Sequence, residues 1–225
     1  MTGTRIVLIR HGESQCNVNG IVGGHVGCTG LTECGFEQAR KLRDRLASTG
    51  ELAAADVFYT SLLPRAIQTA ETIAPAVGGG RLEAVRRCSL CELHPGLSDG
   101  LEWPVFEDRY GNAPWQDDPT IEMAPQGESW SGFVDRASSA VAALTDEHPG
   151  SLIVVVCHGG IVRATMATFL PLVDRYASLR LPTAYTSITE WEHDDRGWQL
   201  VRYNDVEHLG GPFESMKDGP HVVRR

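Results

Sequence analysis

The sequence lacks any hydrophobic run long enough to cross a membrane. Its longest, Leu152–Cys157, has six residues, whereas a transmembrane helix needs about 20. The residues before Ile6 also lack the apolar stretch and the small-residue cleavage site of a signal peptide. These absences predict a cytoplasmic protein with no membrane partner.

Positive charge is scarce as well, with 20 Lys and Arg against 29 Asp and Glu and a net charge of −9. A surface of this sign repels nucleic acid, so we expect no nucleic-acid partner. It would also repel an anionic substrate at long range. A phosphate site in this chain would therefore have to be a local cluster of Arg and His.

Nothing in the sequence indicates disorder, internal repeats or a long linker. Hydrophobic residues make up 42% and charged residues 22%, as in an ordinary globular domain. A chain of 225 residues is long enough to bury a core of its own. We therefore predict one domain over residues 1–225.

Six cysteines without a secretion signal are expected to be free thiols. Cys88 and Cys91 have the spacing of a metal-binding or redox pair. A zinc site needs about four ligands, and the only other candidates nearby, Cys28, Cys34 and His94, form no second tight pair. The sequence therefore favours small hydrophobic side chains over ligands here, and we expect no metal and no cofactor.

Strands alternate with helices along most of the chain. Strands are predicted at residues 5–9, 57–59, 82–87 and 152–156, and helices at 32–50, 64–73, 129–144 and 161–169, with Thr32 and Ser61 as candidate N-caps. This alternation predicts an α/β three-layer sandwich, in which a mostly parallel sheet has helices on both faces. A final hairpin at 183–192 and 198–203 should add an antiparallel edge.

Residues 94–128 depart from this alternation. They contain five prolines and four large aromatic side chains, which predict loops around one short helix near residues 105–110. Two interpretations stay open. The segment is either a lid-like excursion over a substrate or a packed surface cap whose aromatics are structural.

Two buried strands end in a histidine that is followed by glycine, at His11 and at His158. In open α/β sheets ligands gather at the carboxyl ends of strands, and a glycine there lets a ligand approach the backbone. Arg10 precedes the first histidine, and Arg65 follows another strand end. Since a guanidinium binds two phosphate oxygens at once, these side chains would form a dianion site if they converge.

The segment from Leu8 to Ser14, with Asn17 after it, resembles the signature of the histidine phosphatase superfamily, in its branch 1 or phosphoglycerate mutase-like group. Further blocks match in the family's order over roughly residues 5–170: Leu31-Thr32 with Gly35 and Gln38-Ala39, Ser61-Leu62 with Arg65-Ala66 and Gln68-Thr69-Ala70, Leu90-Cys91-Glu92, Gln126-Gly127-Glu128-Ser129 and Cys157-His158-Gly159-Gly160.

The resemblance implies a role for each matched side chain. His11 would be the nucleophile that forms a phosphohistidine. Arg10, Arg65 and His158 would hold the phosphoryl oxygens and stabilise charge in the transition state. Glu92 would protonate the leaving oxygen and later deprotonate the attacking water.

Further contacts are expected around the same phosphoryl group. Asn17 and the backbone N–H of Gly159 would add hydrogen bonds to it. The loop before Leu31 usually lines the substrate pocket in this family, which places Gly24 and His25 near the substrate. This loop lacks the Gln-Gly and Asp of many relatives, so its contacts with a substrate are expected to differ from theirs more than the phosphate-binding contacts do.

Four functions remain in competition, the last of them a zinc-binding regulatory protein built on Cys88 and Cys91. The first is a metal-independent phosphomonoesterase acting on a small phosphorylated metabolite. The second is a phosphoglycerate mutase, and the third a catalytically silent relative that binds phosphorylated ligands. Between Glu92 and Glu128 the chain has seven Asp or Glu but only Arg109 as a basic residue besides His94, which favours the phosphatase. His94 is a second candidate for proton transfer, and a homodimer is open as an alternative to a monomer.

Overall fold

The computed structural model describes residues 3–170 and 181–210, so the predicted domain of residues 1–225 extends beyond the described residues at both ends. The strands are β1 (Thr4–Arg10), β2 (Val57–Thr60), β3 (Val85–Arg86), β4 (Leu152–Cys157), β5 (Ile188–Asp194) and β6 (Gly197–Asp205). The α-helices are α1 (Gln15–Val18), α2 (Glu33–Thr49), α3 (Pro64–Ile73), α4 (Trp103–Tyr110), α5 (Trp130–Glu147) and α6 (Gly159–Phe169).

The six strands form one sheet in the order β3-β2-β4-β1-β5-β6. The four strands β1 to β4 run parallel, and β5 and β6 pair antiparallel at one side. This confirms the mostly parallel sheet with an antiparallel edge. Because β1 lies between β4 and β5, its carboxyl end is placed in the middle of the sheet.

Alternate side chains of the central strands face opposite layers, as the pleat of a strand requires. Ile6 and Leu8 of β1 pack with residues of α5 and α6. Val7 and Ile9 pack on the other face with residues of α2 and α3. Both faces of the sheet are therefore covered by helices, which confirms the three-layer sandwich.

The helix starts follow local chemistry, with one exception to the prediction. Thr32 is the N-cap of α2, where its side chain accepts a hydrogen bond from the N–H of Gly35 at 2.9 Å. Ser61 is not the N-cap of α3. Leu63 occupies that position because Pro64 begins the helix, and the hydroxyl of Ser61 is instead paired with His158.

Two strands are shorter than predicted. The third strand covers only Val85–Arg86, since Leu82 and Ala84 pack against the core instead of joining the sheet. The first strand of the terminal hairpin begins at Ile188. The residues before it turn towards the end of β1, where the N–H of Thr186 donates to the carbonyl oxygen of His11 at 3.3 Å.

The segment 94–128 contains the predicted short helix, α4. Its aromatic side chains pack on one another, with ring centroids 5.3 Å apart for Trp103 and Phe106 and 6.1 Å apart for Phe106 and Tyr110. Phe106 is buried together with Val22. The aromatic side chains thus have packing partners of their own, and the choice between a lid-like excursion and a packed surface cap stays a prediction. Within residues 3–170 and 181–210, none of the helices combines the length and apolar character that a bilayer crossing needs.

Candidate active site

The two histidines predicted at strand ends lie side by side. Arg10 at the end of β1 is opposite Cys157 of β4, and the next N–H, that of His11, donates to the carbonyl oxygen of Cys157 at 3.0 Å. This register brings the rings of His11 and His158 to a centroid distance of 5.1 Å. Both side chains are buried, so their hydrogen bonds decide what each ring can do.

His11 presents a nitrogen lone pair inside the site. Its Nδ1 lies 2.6 Å from the carbonyl oxygen of Gly12, and since a carbonyl can only accept, Nδ1 carries the proton. The guanidinium Nε of Arg65 donates to Nε2 at 3.1 Å, so Nε2 is unprotonated. Burial, followed by the charges of Arg65 and Arg10, holds the pKa of His11 well below its ordinary value. The ring is therefore neutral at neutral pH, with Nε2 as its basic atom.

Arg65 is fixed by the first turn of α3. Besides His11, its guanidinium donates to the carbonyl oxygen of Gly23 at 2.7 Å, and a weaker contact reaches Cys16 Sγ at 3.7 Å. The side chain is only 4% exposed. A guanidinium keeps its charge even when buried, so Arg65 places a permanent positive charge beside the basic nitrogen of His11.

Arg10 approaches from the other side and is held by residues late in the chain. Its guanidinium donates to the carbonyl oxygen of Thr183 and lies 4.2 Å from the centre of the Tyr185 ring. The Tyr185 ring is in turn 5.9 Å from the His11 ring. Stacking on an aromatic face orients the guanidinium without using all of its N–H groups.

Two buried polar nitrogens of the site have no hydrogen-bond partner among the described residues: Nε of Arg10 and Nδ1 of His158. Nε2 of His158 is already paired with the hydroxyl of Ser61 at 2.7 Å. Buried polar groups are normally satisfied, and leaving one unsatisfied costs about 1–3 kcal/mol. Two such groups next to the Arg65 charge indicate a site built for an anion.

Glu92 is held at the start of α6. Its two carboxylate oxygens accept hydrogen bonds from the N–H of Gly160 at 3.0 Å and of Leu93 at 3.1 Å. A side chain at residue 160 would not fit, since a Cβ there would lie 1.9 Å from Oε1 of Glu92. Burial lowers the pKa of Arg10, and the charges of Tyr185 and then Glu92 oppose this lowering. Glu92 is thus anchored within electrostatic reach of the proposed phosphoryl site.

The glycines after the two histidines serve different purposes. A Cβ at Gly12 would lie 2.5 Å from the carbonyl oxygen of Gly35 in α2. The absence of a side chain at Gly12 therefore allows α2 to pack closely and does not make room for a ligand. A Cβ at Gly159 would meet only Arg10, at an ordinary 3.5 Å. Gly159 opens α6, and the first N–H groups of a helix have no partner within the helix and attract anions.

Asn17, Gly24 and His25 stay predicted contacts of the phosphoryl group or the substrate. The Asn17 carbonyl oxygen accepts a hydrogen bond from the hydroxyl of Ser14, which leaves its amide NH₂ as the group that can donate to a ligand. The N–H of Gly24 is taken by the Asp99 carboxylate at 2.9 Å. His25 is exposed, with its ring 5.9 Å from that of His94.

Sequence reasoning missed the residues that orient the site. Thr183 and Tyr185 hold Arg10 from a segment that the pattern assigned to a strand, and no motif distinguishes them. Ser61 was found but given a capping role. Its position three residues before a proline, directly after a strand, is the one signal that could have indicated a different role, because Pro64 itself marks the first turn of the helix.

The model of the histidine phosphatase superfamily (branch 1) matches residues 6–206. The chain belongs to this superfamily. Two relatives from Arabidopsis thaliana align with most of the sequence of this histidine phosphatase. Metal-independent phosphoserine phosphatase is 30% identical over 92% of the chain and 83% of its own length. Phosphoglycerate mutase-like protein 4 is 29% identical over 91% of the chain and 86% of its own length.

The solved structures include a close match to this histidine phosphatase. A mycobacterial glucosyl-3-phosphoglycerate phosphatase in complex with VO₃ superposes with a TM-score of 0.72 at 26% identity. The match covers 89% of this chain and 98% of the mycobacterial one. Together with the family, the phosphatase relatives show that the protein is an enzyme of the phosphatase type that acts on a small phosphorylated metabolite.

Proposed function

We propose that the protein is a metal-independent phosphomonoesterase that works through a phosphohistidine on His11. One observation supports this more than any other. The proton of His11 is fixed on Nδ1 by the Gly12 carbonyl, and Nε2 faces the guanidinium of Arg65 at 3.1 Å. A phosphate oxygen bound to Arg65 would bring its phosphorus to the lone pair of Nε2. An imidazole held in this way needs no additional base to act as a nucleophile.

In the first step, the Nε2 lone pair of His11 forms a bond to phosphorus while the bond between phosphorus and the ester oxygen breaks. Arg10, Arg65 and Nδ1 of His158 bind the three non-bridging oxygens, whose charge they stabilise. A proton on the carboxyl group of Glu92 passes to the ester oxygen, which leaves as an alcohol. Asn17 and the N–H of Gly159 contribute further hydrogen bonds to the phosphoryl group.

In the second step, water attacks the phosphohistidine. The carboxylate of Glu92 takes one proton from the water as the new P–O bond forms, and the P–N bond breaks. Inorganic phosphate leaves, and His11 and protonated Glu92 are restored for the next cycle. No metal is needed in either step, because the two guanidinium groups supply positive charge at the phosphoryl oxygens.

The acidic surroundings of the site favour hydrolysis over mutase chemistry. A mutase must hold a second anionic group of its substrate and keep water from the phosphoenzyme. Between Glu92 and Glu128 this chain carries seven acidic residues and one arginine, Arg109, which is exposed on α4. A substrate with one phosphate and an uncharged or polar leaving group fits this balance best.

The test is to trap the intermediate. Brief incubation with a ³²P-labelled phosphate monoester, followed by quenching, should label the protein in an acid-labile, alkali-stable linkage on His11. His11→Ala should abolish both labelling and turnover. His193→Ala is a matched control, since His193 packs on Trp198 in the terminal hairpin. An acid-stable label, for example on Ser14, or labelling that persists in His11→Ala would refute the mechanism.

A second measurement separates the phosphatase from the alternatives. A panel of phosphate monoesters should release inorganic phosphate, and 3-phosphoglycerate should not be isomerised faster than the best ester is hydrolysed. Faster isomerisation would make the enzyme a mutase. Binding of these esters with no turnover of any of them would indicate the silent relative.

We also propose a cytoplasmic location. None of the six cysteines, all of which lie within the described residues, forms a disulfide, which suits a reducing compartment. Cell fractionation tests the location, and light scattering on the purified protein decides between the monomer and the homodimer.

A further inference from the structure

Four side chains with metal-binding atoms meet on the surface beside Glu92. They are His25, Cys88, Cys91 and His94, and their ligand atoms all lie within 4.8 Å of one another. Cys88 Sγ is 3.7 Å from Nε2 of His94. In a tetrahedral site with Zn–S of about 2.3 Å and Zn–N of about 2.0 Å, a sulfur and a nitrogen ligand are about 3.5 Å apart. The distances therefore need only small side-chain adjustments to enclose one ion.

The chemistry of the set suits zinc. Two thiolates and two imidazoles are among the ligand combinations of structural zinc sites, which use four protein ligands and leave no open position. Such soft and intermediate donors do not suit Mg²⁺ or Ca²⁺, which prefer oxygen ligands. Cys88 and His25 are exposed, so an ion can enter, whereas Cys91 is buried and anchors the site to the fold.

The neighbours of the cluster match those that usually orient metal ligands. The N–H of Leu62 donates to Cys91 Sγ at 3.4 Å, an interaction that favours a thiolate. The Glu128 carboxylate lies 3.8 Å from Nδ1 of His94, on the side of the ring away from Cys88. A carboxylate in this position would fix the tautomer of the ligand and raise its basicity once it moves within hydrogen-bonding distance of Nδ1.

Glu128 is itself rigidly placed. Its two carboxylate oxygens accept hydrogen bonds from Arg136 at 2.6 and 2.7 Å. Arg136 also donates to the backbone carbonyl oxygens of Ser89, Cys91 and Glu92. This partly buried ion pair thus holds both the backbone of residues 89–92 and the carboxylate behind His94.

We propose that His25, Cys88, Cys91 and His94 bind a structural zinc ion. The sequence alone predicts no metal, because Cys28, Cys34 and His94 form no second tight pair beside Cys88 and Cys91, and because His25 is a predicted substrate contact. The fold instead places Cys28 against Cys16 and Cys34 on α2, and brings His25 across from a different loop to complete the set.

The ion would connect two loops that border the active site. His25 belongs to the loop that Asp99 holds through the N–H groups of Gly24, Val26 and Gly27, at 2.8–2.9 Å. The other three ligands surround Glu92 in sequence. The ion would therefore fix the substrate-side loop relative to the proposed general acid, while the phosphoryl chemistry itself stays independent of metal.

Metal analysis of the natural protein tests the proposal. Protein purified under reducing conditions, without an affinity tag and after addition of zinc and desalting, should contain about one zinc per chain by mass spectrometry of the elements. Cys88→Ser and His94→Ala should lose most of this zinc. Cys34→Ser should keep all of it, because Cys34 is also an exposed cysteine but lies outside the cluster. Less than a tenth of an equivalent in the natural protein, or full zinc in Cys88→Ser, would overturn the proposal.

Cobalt provides a second readout that does not depend on purification history or on catalysis. Titration of the metal-free natural protein with Co²⁺ should give the visible bands of a tetrahedral site and a thiolate charge-transfer band, both absent in Cys88→Ser. Zn²⁺ should raise the melting temperature of the natural protein and of Cys34→Ser but not of Cys88→Ser. Octahedral cobalt spectra, or a Cys88–Cys91 disulfide formed without loss of zinc affinity, would contradict the site. Because these readouts follow metal and not phosphate release, they stand apart from the trapping experiment on His11.

Discussion

The anchoring of Glu92 by Gly160 leads to a prediction about a residue that never touches a substrate. In Gly160→Ala, the added Cβ would lie 1.9 Å from Oε1 of Glu92 and 2.8 Å from the ring of Phe133. The alanine can be accommodated only if the Glu92 carboxylate moves, since Phe133 is fully buried. The substitution therefore displaces the proposed general acid and leaves His11 in place.

The magnitude follows from two contributions. The hydrogen bond from the Gly160 N–H to the protonated, neutral Glu92 contributes about 0.5–1.5 kcal/mol, and a correctly placed general acid accelerates a reaction about 10²–10⁴-fold. We expect kcat/KM for an alkyl phosphate to fall about 10²-fold or more. For p-nitrophenyl phosphate the fall should be much smaller, because this leaving group departs with little help from a proton.

Stability changes less than activity in the same variant. Replacing glycine by alanine inside a helix gains about 1 kcal/mol, while crowding of a packed site costs about 1–3 kcal/mol. Steady-state kinetics with both substrates, beside thermal unfolding, separates these effects. Gly159→Ala is the matched comparison, since its Cβ meets only Arg10 at 3.5 Å and its backbone N–H remains.

A double-mutant cycle makes the prediction refutable. If Gly160→Ala acts through the general acid, it should add almost nothing to the loss already caused by Glu92→Gln. The reasoning fails if Gly160→Ala slows both substrates equally. It also fails if the losses of the two substitutions multiply.

Three further predictions concern substitutions of Arg65, Ser61 and Thr32. Arg65→Ala should slow turnover strongly, and it should also raise the pKa of His11, which the Arg65 charge lowers. The acid limb of the kcat/KM profile should then move to higher pH, whereas no shift in the profile would contradict the neutral nucleophile. Ser61→Ala removes the hydroxyl that lies 2.7 Å from Nε2 of His158 and should therefore lower kcat. Ser61→Thr keeps a hydroxyl and should retain more activity in the same assay. Equal rates for the two variants would argue against orientation of His158 by the hydroxyl. Thr32→Ala should reduce the free energy of unfolding in urea by about 1 kcal/mol through loss of the α2 cap while kcat stays unchanged.

The architecture could be predicted from the sequence because its signals are local. The apolar runs at the centre of the sheet and the cap at Thr32 depend on neighbours a few residues away, and both are found where expected. The short third strand was overestimated because its residues resemble a strand, while tertiary packing draws Leu82 and Ala84 into the core. Strand propensity does not account for the choice between packing on the core and pairing in the sheet.

The residues of the candidate site could be predicted from the sequence, but the contacts that orient them could not. His11, Arg10, Arg65 and His158 were selected for their place at strand ends, which the parallel topology brings together. The hydrogen bonds that set the tautomer of His11 and orient Arg10 depend on the Gly12 carbonyl and on Tyr185. These are contacts of backbone atoms or of residues distant in sequence, and no spacing rule encodes them.

The central position of β1 has a consequence for how the protein is made. Arg5 pairs with Leu152 on one side and with Glu192 on the other. During synthesis β1 therefore emerges roughly 150 residues before β4, the nearer of its two partners in sequence, and a separation of this size slows folding. Until then the apolar side chains and the unpaired backbone N–H and C=O groups of β1 are exposed to other chains. The surroundings of His11, the proposed nucleophile, cannot be assembled before β4 and the segment that contains Thr183 and Tyr185 have been synthesised. Truncated products of translation would therefore be inactive and prone to aggregation, however much of the chain they contain short of that point.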